Sequence, residues 1–349
     1  MSGPQNASLD GQGFRWYSWV DPVTQEEHRL LSVTSIRKLN GEPYGLVQWQ
    51  LNNILDVTLG TVKRPAIGKR GKPLKGKYVY VPDGNSEFVE RYIAADGNAD
   101  KIADLRKWAR EAADEPKNIA AIRGTITHKA IERGLRWEQV ERPWVEATFS
   151  DLSQRDRAKR PLGVLDSDVT FVRNAVAQYW DMRVNRPFVI IAREPQVFNL
   201  TLGYAGSADT IIWFLPDGVS VKDVPPAHLL TLTIIEDIGG YLAVGDWKTA
   251  KDVYTDNVVQ IHAYGGGEFV GEDGLVNHRL TDILQATTRG VIFHIRPEHW
   301  GVHVFDFNEP TFLAFTGSVV FARFLAANPK PQSLFVAEYT GSAPYEEAA

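Results

Sequence analysis

The N-terminal part of the chain combines a short strand pattern with longer helical patterns. From Phe14 to Val33, aromatic and apolar residues alternate with polar ones, and the turn-like Asp21-Pro22-Val23-Thr24 interrupts them. This alternation around a turn predicts a β-hairpin. Helical patterns follow over residues 86–113 and 118–135. Pro116 between them predicts a break, because proline disrupts a helix interior.

The pattern changes to strands from residue 188 onward. Apolar and β-branched runs bounded by turn residues predict strands over 188–198, 204–214, 229–235, 241–248, 290–295 and 301–307. We expect 229–235 and 241–248 to pair as a hairpin around Gly239-Gly240. Helical patterns over 258–269 and 310–326 complete the order. This order predicts an α/β fold with a mixed β-sheet flanked by helices, plus an N-terminal, mostly helical region.

The chain divides into four predicted parts. Its 349 residues, 44% of them hydrophobic, are enough for a sizeable core. The polar, glycine-rich start is expected to be a disordered tail. A helical and hairpin region, the core and a C-terminal tail follow it. The predicted bounds are 1–13, 14–117, 118–328 and 329–349.

The segment 61–77 differs in character from its surroundings. Its Lys and Arg residues are interleaved with Gly and Pro, and no acidic residue interrupts them. This composition predicts a loop. One interpretation is a solvated insertion. The other is a contact with the DNA backbone, for which the candidates are Lys69, Arg70 and Lys72.

Charge and residue usage exclude some classes of protein. A formal net charge of −5 argues against a protein that simply coats nucleic acid. The chain has no cysteine, which excludes disulfides, thiolate zinc sites, iron–sulfur clusters held by cysteine and a cysteine nucleophile. This fits a cytoplasmic location, and the start shows no secretory pattern. The apolar stretch 312–327 is expected to be too short to span a bilayer and contains Arg323.

Three charged residues stand in strongly apolar surroundings. Asp246 and Lys248 are two positions apart on a predicted strand and therefore point to the same face. Asp209 lies in another apolar strand pattern, and buried charges are costly unless they are paired or bind a cation. Two carboxylates and an ammonium group suit Mg²⁺ or Mn²⁺, with the backbone carbonyl of Trp247 as a further oxygen ligand. A buried Asp–Lys ion pair without metal is the alternative.

Four short motifs occur in one order around these residues. They are Gly124-Thr-Ile-Thr-His128, Gly206-Ser-Ala-Asp209, Asp246-Trp-Lys-Thr249 and Gln260-Ile-His-Ala-Tyr264. The series resembles the G-x-x-x-H, G-x-x-D, D-[YW]-K-T and Q-x-x-x-Y motifs of the RecB-like and Cas4-like nucleases of the PD-(D/E)XK superfamily. The resemblance covers roughly residues 120–300. It implies a restriction-endonuclease-like core with a central mixed β-sheet.

The resemblance implies a catalytic centre that depends on Mg²⁺ or Mn²⁺. Asp209, Asp246 and Lys248 match its catalytic residues. His128 matches a histidine that can contribute to the metal site beside the two aspartates and the Trp247 carbonyl. The iron–sulfur cluster of some relatives is excluded because the chain has no cysteine.

Three further residues of the chain match functional residues of these nucleases that lie outside the three central residues. Glu194 matches an acid that supports the metal or water and is a candidate catalytic residue, although an ion pair with Arg193 is the alternative. Gln260 and Tyr264 lie one turn apart on one helix face and match residues that order the active site or contact DNA. The long gap between the two catalytic aspartates implies an insertion at 215–240.

The function implied by the resemblance is a Mg²⁺-dependent DNA exonuclease of phage recombination, repair or genome processing, in the host cytoplasm. Its expected partners are DNA and a phage single-strand annealing or recombination protein. Subunits could form a homo-oligomer, and no membrane is expected. The sequence leaves open a structure-selective or nicking endonuclease, and a non-catalytic DNA-binding or assembly protein that keeps the fold. The intact set of Asp209, Asp246 and Lys248 argues against the latter.

Overall fold

The computed structural model describes residues 7–10, 14–39, 54, 57–58, 61–67, 73–82, 87–160 and 162–327, and gives the backbone alone for 38–39, 61–67 and 73–82. In these residues the strands are β1 (Ala7–Leu9), β2 (Arg15–Val20), β3 (Glu27–Ser32), β4 (Thr61–Ile67), β5 (Pro73–Pro82), β6 (Phe188–Arg193), β7 (Gln196–Asn199), β8 (Tyr204–Ser207), β9 (Thr210–Phe214), β10 (Tyr241–Lys248), β11 (Phe269–Glu272), β12 (Leu275–Val276), β13 (Arg289–Ile295) and β14 (Trp300–Asp306). The helices are α1 (Val33–Leu39), α2 (Glu87–Ala95), α3 (Ala99–Glu132), α4 (Arg142–Ser150), α5 (Gln154–Ala158), α6 (Asp166–Asn185), α7 (Leu232–Ile238), α8 (Thr255–Gly265), α9 (His278–Gln285) and α10 (Glu309–Ala327).

A five-stranded mixed sheet lies at the centre of the fold. Its order is β14-β13-β10-β9-β6, in which β10 and β13 run parallel and the other neighbours run antiparallel. Side chains alternate between the two faces of each strand. One face buries Trp247 and Phe293 with Tyr179 of α6, and the other buries Val244 with Ile261 of α8. Helices therefore cover both faces, which confirms the predicted α/β class with a mixed sheet.

A seven-stranded sheet joins the start of the chain to this core. Its order is β1-β2-β3-β8-β7-β11-β12, and β3 pairs with β8 in parallel. The hairpin predicted over 14–33 is confirmed as β2 and β3. Because β1 pairs with β2, residues 7–9 are ordered and the tail expected over 1–13 is wrong for them. β8 ends at Ser207, shortly before Asp209, so this sheet brings the N-terminal hairpin towards the candidate catalytic residues.

The basic segment 61–77 forms a hairpin where the structure describes it, so the predicted loop is wrong there. β4 and β5 pair antiparallel, with an irregularity between Pro65 and Ile67. Both strands of a two-stranded ribbon are edge strands, which tolerate proline at positions whose N–H would not be paired. The pattern of Gly and Pro therefore did not exclude strands. Outside the described residues lie Lys69, Arg70, Lys72 and the predicted tail 329–349.

The structure differs from two further predictions, at helices α3 and α7. α3 continues through Pro116 and crosses the expected boundary at 117–118. Pro116 is exposed, so water can reach the carbonyl that proline leaves without a donor. Residues 232–238 form α7 and are not a strand paired with β10, because Thr231 caps them by accepting a hydrogen bond from Ile234 N at 3.4 Å. Strands β1 to β5 also make the N-terminal region less helical than expected.

The closing helix α10 confirms the helix predicted over 310–326. It is 19 residues long with a mean hydropathy of 1.4, so by length and composition alone it is long enough to cross a membrane. One such helix is weak evidence of a membrane span, because core helices pass the same test. On one side Phe315, Val319 and Ala322 are buried, and Phe315 meets Tyr204 at 4.9 Å between ring centroids.

Candidate catalytic centre

Two aspartates meet where adjacent strands of the five-stranded sheet run side by side. Asp209 lies between β8 and β9, and Asp246 lies on β10. The register pairs Thr210 with Gly245, so the two aspartates occupy neighbouring positions. The backbone N–H of Trp247 donates to Oδ2 of Asp209 at 2.7 Å and fixes that carboxyl group against β10. The structure thus brings together the two carboxyl groups that the sequence selected.

Lys248 joins the aspartates from the same face of β10. Its ammonium group makes an ion contact with Oδ2 of Asp246. The Asp246 side chain is 3% exposed and that of Lys248 is 18% exposed, so the ammonium group retains access to solvent. Oδ2 of Asp246 is buried, and its contact among the described residues is the Lys248 ammonium group.

The charges of these three side chains do not balance. Burial raises the pKa of Asp209 well above its ordinary value, Asp246 raises it further, and Lys248 acts in the opposite direction. One ammonium group therefore faces two carboxyl groups, so one of the two negative charges lacks a compensating charge among these three side chains. A divalent cation would compensate the second negative charge.

His128 of α3 borders the same position. Its Nδ1 lies 3.7 Å from Oδ2 of Asp209, and both side chains are 26% exposed. Burial lowers the pKa of His128 to about 4 and Lys248 acts in the same direction, while Asp246 and a hydrogen bond to the Trp247 backbone oppose them. The imidazole is therefore neutral at pH 7, which is the form that binds metals.

Gly124 explains how α3 comes this close. A Cβ at this position would lie 2.8 Å from Oγ1 of Thr249, the residue that follows β10. Glycine leaves that space free, so the helix carrying His128 packs against the end of the strand that carries Asp246 and Lys248. Gly124 and Thr249, which belong to two different motifs, thus pack against each other.

Gln260 and Tyr264 of α8 form a hydrogen bond with each other. Gln260 Nε2 donates to Oη of Tyr264 at 2.8 Å. Both side chains are buried, and the charges of Asp246 and Asp209 act on the Tyr264 hydroxyl, whose pKa burial raises. This placement supports the interpretation that they order the centre. Their burial makes direct contact with DNA a poorer explanation.

Gly206 gives a first test of this packing. A Cβ there would lie 2.6 Å from Cε1 of Tyr264 and 3.0 Å from Cγ2 of Val33. We expect Gly206→Ala to lower the free energy of unfolding by about 1–3 kcal/mol, the usual cost of overpacking, measured by urea denaturation. Gly317→Ala is the matched control, because nothing lies within 4 Å of its Cβ position on α10. It should stabilise the helix by roughly 0.5–1 kcal/mol. Equal stability of the two variants would contradict the packing.

Glu194 does not join the three central side chains. It is exposed beyond the end of β6. The alternative ion pair with Arg193 is not among the described contacts, because Arg193 Nη1 donates to the backbone oxygen of Glu132 at 2.6 Å instead. Glu194 lies beside the Glu132 side chain, with which it shares a hydrogen bond. Glu132 was missed from the sequence, although it follows His128 by four positions and so lies on the same helix face.

The Glu132 and Glu194 pair leads to a prediction about pH. Burial raises the pKa of Glu132 from 4.5 to about 7, and the Glu194 carboxylate contributes in the same direction. A raised carboxyl pKa stabilises the fold below pH 4.5, and this contribution is lost as the pH rises through 7. Glu132→Gln should therefore melt at a higher temperature than the wild type at pH 8, and the difference should shrink at pH 5. A pH-independent difference would contradict a shared proton.

A cavity of about 1000 Å³ opens beside these residues. Asp209, His128, Glu132 and Glu194 line part of it, together with basic residues from three other elements: Arg15, Arg193 and Arg279. Pockets of this size enclose small ligands. The cavity gives a substrate access to the exposed sides of Asp209 and His128.

The donor set fits a hard divalent cation only in part. Within the described residues, no three His, Asp or Glu side chains form a group arranged to hold a metal. Mg²⁺, however, keeps several waters and is usually held by one or two carboxylates. Asp209 and Asp246 supply these, and the Trp247 carbonyl, to which His128 hydrogen-bonds, is a further oxygen at the same place. The residues therefore fit Mg²⁺ or Mn²⁺ and do not fit a metal that requires a closed cage of side chains.

Comparison of the chain with models of protein families finds no match, and comparison with curated proteins finds none either. The assignment of function therefore rests on the motifs and on the geometry of Asp209, Asp246 and Lys248.

Proposed function

We propose that the chain is a metal-dependent nuclease that hydrolyses phosphodiester bonds in DNA on a restriction-endonuclease-like core. The observation that carries the proposal is the meeting of Asp209, Asp246 and Lys248 across two adjacent strands. A structural Asp–Lys ion pair needs one carboxylate. The second carboxyl group, that of Asp209, is about three-quarters withdrawn from solvent, which costs free energy and is expected where a cation binds.

The arrangement of elements supports the proposed core. The helix with His128 precedes β6, β9 and β10, which follow one another in the central sheet, and α8 then leads to β13 parallel to β10. Three motifs of the resemblance fall on α3, on β10 with the residue that follows it, and on α8, and the fourth, Gly206 to Asp209, spans the end of β8 and the link to β9. We therefore favour this core over an unrelated α/β sheet.

Each residue has a role in the proposed reaction. A bound Mg²⁺ or Mn²⁺ would lower the pKa of a water molecule and compensate charge on the phosphate. Asp209 and Asp246 would hold the ion through oxygen atoms, with the Trp247 carbonyl and neutral His128 beside them. The partly exposed ammonium group of Lys248 would orient the attacking water or stabilise charge on the phosphate oxygens.

Within this class we favour an exonuclease. The resemblance of the four motifs carries this preference, and the cavity of about 1000 Å³ that Asp209 and His128 line would give a DNA strand access to them. The nicking or structure-selective endonuclease is the second candidate, because the same residues would cut an internal bond if DNA lies across the cavity.

The test is digestion of labelled linear and closed circular DNA with Mg²⁺, Mn²⁺ or EDTA. We expect nucleotides to be released from linear DNA only, and only with metal, and 5′ and 3′ end labels report the polarity. Cleavage of closed circles would establish the endonuclease instead. If no metal gives a product with either DNA, the nuclease proposal is wrong and a binding or assembly role takes its place.

A further inference from the structure

The insertion at 215–240 contributes to the wall of the cavity beside the candidate catalytic centre. Ala227 and His228 of the insertion line this cavity, and so does Arg279 of α9. Asp209 lines the same cavity from the link between β8 and β9. A substrate that reaches Asp209 through the cavity therefore shares that space with the insertion.

The insertion is fixed to the core of the protein. Leu230 is 0% exposed and Ile235 is 4% exposed, and both pack in the cluster that contains Val244 of β10. Near the end of the insertion, Trp213 Nε1 donates a hydrogen bond to the backbone oxygen of Gly239 at 2.8 Å. The packing of the core therefore sets the position of this wall.

Arg279 fastens α9 to the insertion through neutral groups and keeps its charge. Its Nη1 donates to the backbone oxygens of Leu230 at 3.0 Å and of Ala227 at 3.4 Å. Among the residues that the structure describes, no carboxylate forms an ion pair with Arg279, and Nε and Nη2 have no hydrogen-bond partner. Neither nitrogen atom is buried. The guanidinium group thus offers a positive charge and two free donor atoms to a ligand.

Phosphate is the ligand chemistry that suits this group. A guanidinium group is a planar fork of N–H donors that matches the oxygen atoms of a phosphate. The cavity also contains carboxyl groups, including those of Glu194 and Glu272, which repel a phosphate. A strand of DNA in the cavity therefore requires a fixed positive charge on the wall, and Arg279 supplies one.

We propose that Arg279 and the insertion 215–240 form a subsite that binds a phosphate group of the DNA other than the one that is cleaved. This inference rests on the proposed nuclease function and deepens it, because it names a contact that holds the substrate. It also assigns a role to the insertion, whose residues carry none of the four motifs.

A purely structural role for Arg279 is the competing explanation. In that case the arginine only fastens the insertion to α9, and its loss lowers the melting temperature. A phosphate contact acts on a different quantity, which is the dependence of DNA binding on salt. Each lost contact reduces the slope of log affinity against log salt concentration by about 0.7 for a single strand and about 0.9 for a duplex.

Arg279→Gln tests the phosphate contact, because the amide can still donate to a backbone carbonyl but carries no charge. Binding is measured in EDTA with labelled single-stranded and duplex oligonucleotides. We expect the affinity to fall about tenfold, as for the loss of one charged hydrogen bond, and the salt slope to fall by one contact. Arg279→Lys keeps the charge and should keep the slope. In cleavage assays, KM for Arg279→Gln should rise by more than kcat falls.

Arg323→Gln is the matched control for Arg279→Gln. Arg323 Nη1 also donates to a backbone oxygen, that of Leu202 at 3.4 Å, but Arg323 lines a different cavity. The control removes the same charge from the protein and should leave the affinity and the salt slope unchanged.

A second pair of variants tests the wall itself. His228→Glu places a carboxylate in the cavity, where it should repel phosphate and weaken DNA binding. Leu229→Glu adds the same group one position later, at a residue that is 54% exposed and does not line the cavity. We expect the loss of DNA affinity in His228→Glu to be several times larger than in Leu229→Glu.

The outcomes separate this inference from the proposed function. A wild-type affinity and salt slope in Arg279→Gln, or equal effects of His228→Glu and Leu229→Glu, would overturn the inference and leave the nuclease proposal intact. If the variants weaken DNA binding as expected but the wild type cuts no DNA with any metal, the subsite stands and the nuclease proposal is wrong. A wild type that binds no DNA would defeat both.

Discussion

Asp246→Asn is expected to remove metal-dependent DNA cleavage while the chain remains folded. The amide has the size of the carboxylate but carries no charge, so it neither attracts the cation nor keeps Lys248 paired. Metal ions contribute several kcal/mol to charge stabilisation in the transition state. With each 1.36 kcal/mol equal to about a factor of ten in rate, kcat should fall roughly 10³-fold or more.

The fold should tolerate Asp246→Asn because the neighbouring charged groups can be solvated or paired without Asp246. Lys248 is 18% exposed, and Asp209 remains beside it as a counter-charge. The melting temperature and the affinity for DNA without metal should therefore stay close to those of the wild type. The measurements are initial rates on end-labelled linear DNA, thermal unfolding, and DNA binding in EDTA.

Asp306→Asn is the matched control for Asp246→Asn. Asp306 also lies at a strand of the five-stranded sheet and pairs with an arginine, Arg289, at 3.1 Å, but its side chain is 81% exposed. Its loss should leave cleavage unchanged. If Asp246→Asn cuts DNA at the wild-type rate, Asp246 does not hold the metal and the catalytic centre lies elsewhere.

The strands that carry this centre could be predicted from the sequence, because local patterns of residues determine them. β10, β13 and β14 are short apolar runs bounded by glycine or polar turns, and each was predicted within a residue or two of its bounds. The spacing of Asp246 and Lys248 on one strand then fixed their common face. The motif order added Asp209 and His128, which come from sequence positions far from β10.

What the sequence did not show depends on contacts between distant segments. Arg37 Nη1 donates to Oε1 of Gln260, 223 residues later in the chain, and no local pattern joins them. The pairing of Glu132 with Glu194 likewise appears only once α3 packs beside β6. α7 carries a β-branched run that favours a strand, and its N-cap and packing outweighed that preference, since tertiary context overrides intrinsic propensity. Exposure of Pro116, which permits an uninterrupted α3, is also a property of the packed chain.

Lys248→Met should show whether Asp209, Asp246 and Lys248 together form a site for a divalent cation. Without metal, the variant leaves two adjacent carboxyl groups without their ammonium partner. Removing one member of a buried ion pair is strongly destabilising, and we expect the free energy of unfolding to fall by about 3 kcal/mol at pH 8. The loss should be smaller at pH 5, because the raised pKa of Asp209 allows that carboxyl group to hold a proton there. Cleavage should be lost at both values.

Added Mg²⁺ should then raise the melting temperature of Lys248→Met more than that of the wild type, since the cation replaces the missing positive charge and binds only the folded state. The double variant Asp246→Asn with Lys248→Met removes both partners, so it should regain most of the stability lost by the single lysine variant and still cut no DNA. Scanning calorimetry with and without Mg²⁺ measures both effects. If the lysine variant is as stable as the wild type without metal and gains nothing from Mg²⁺, the carboxyl groups of Asp209 and Asp246 do not form one cation site.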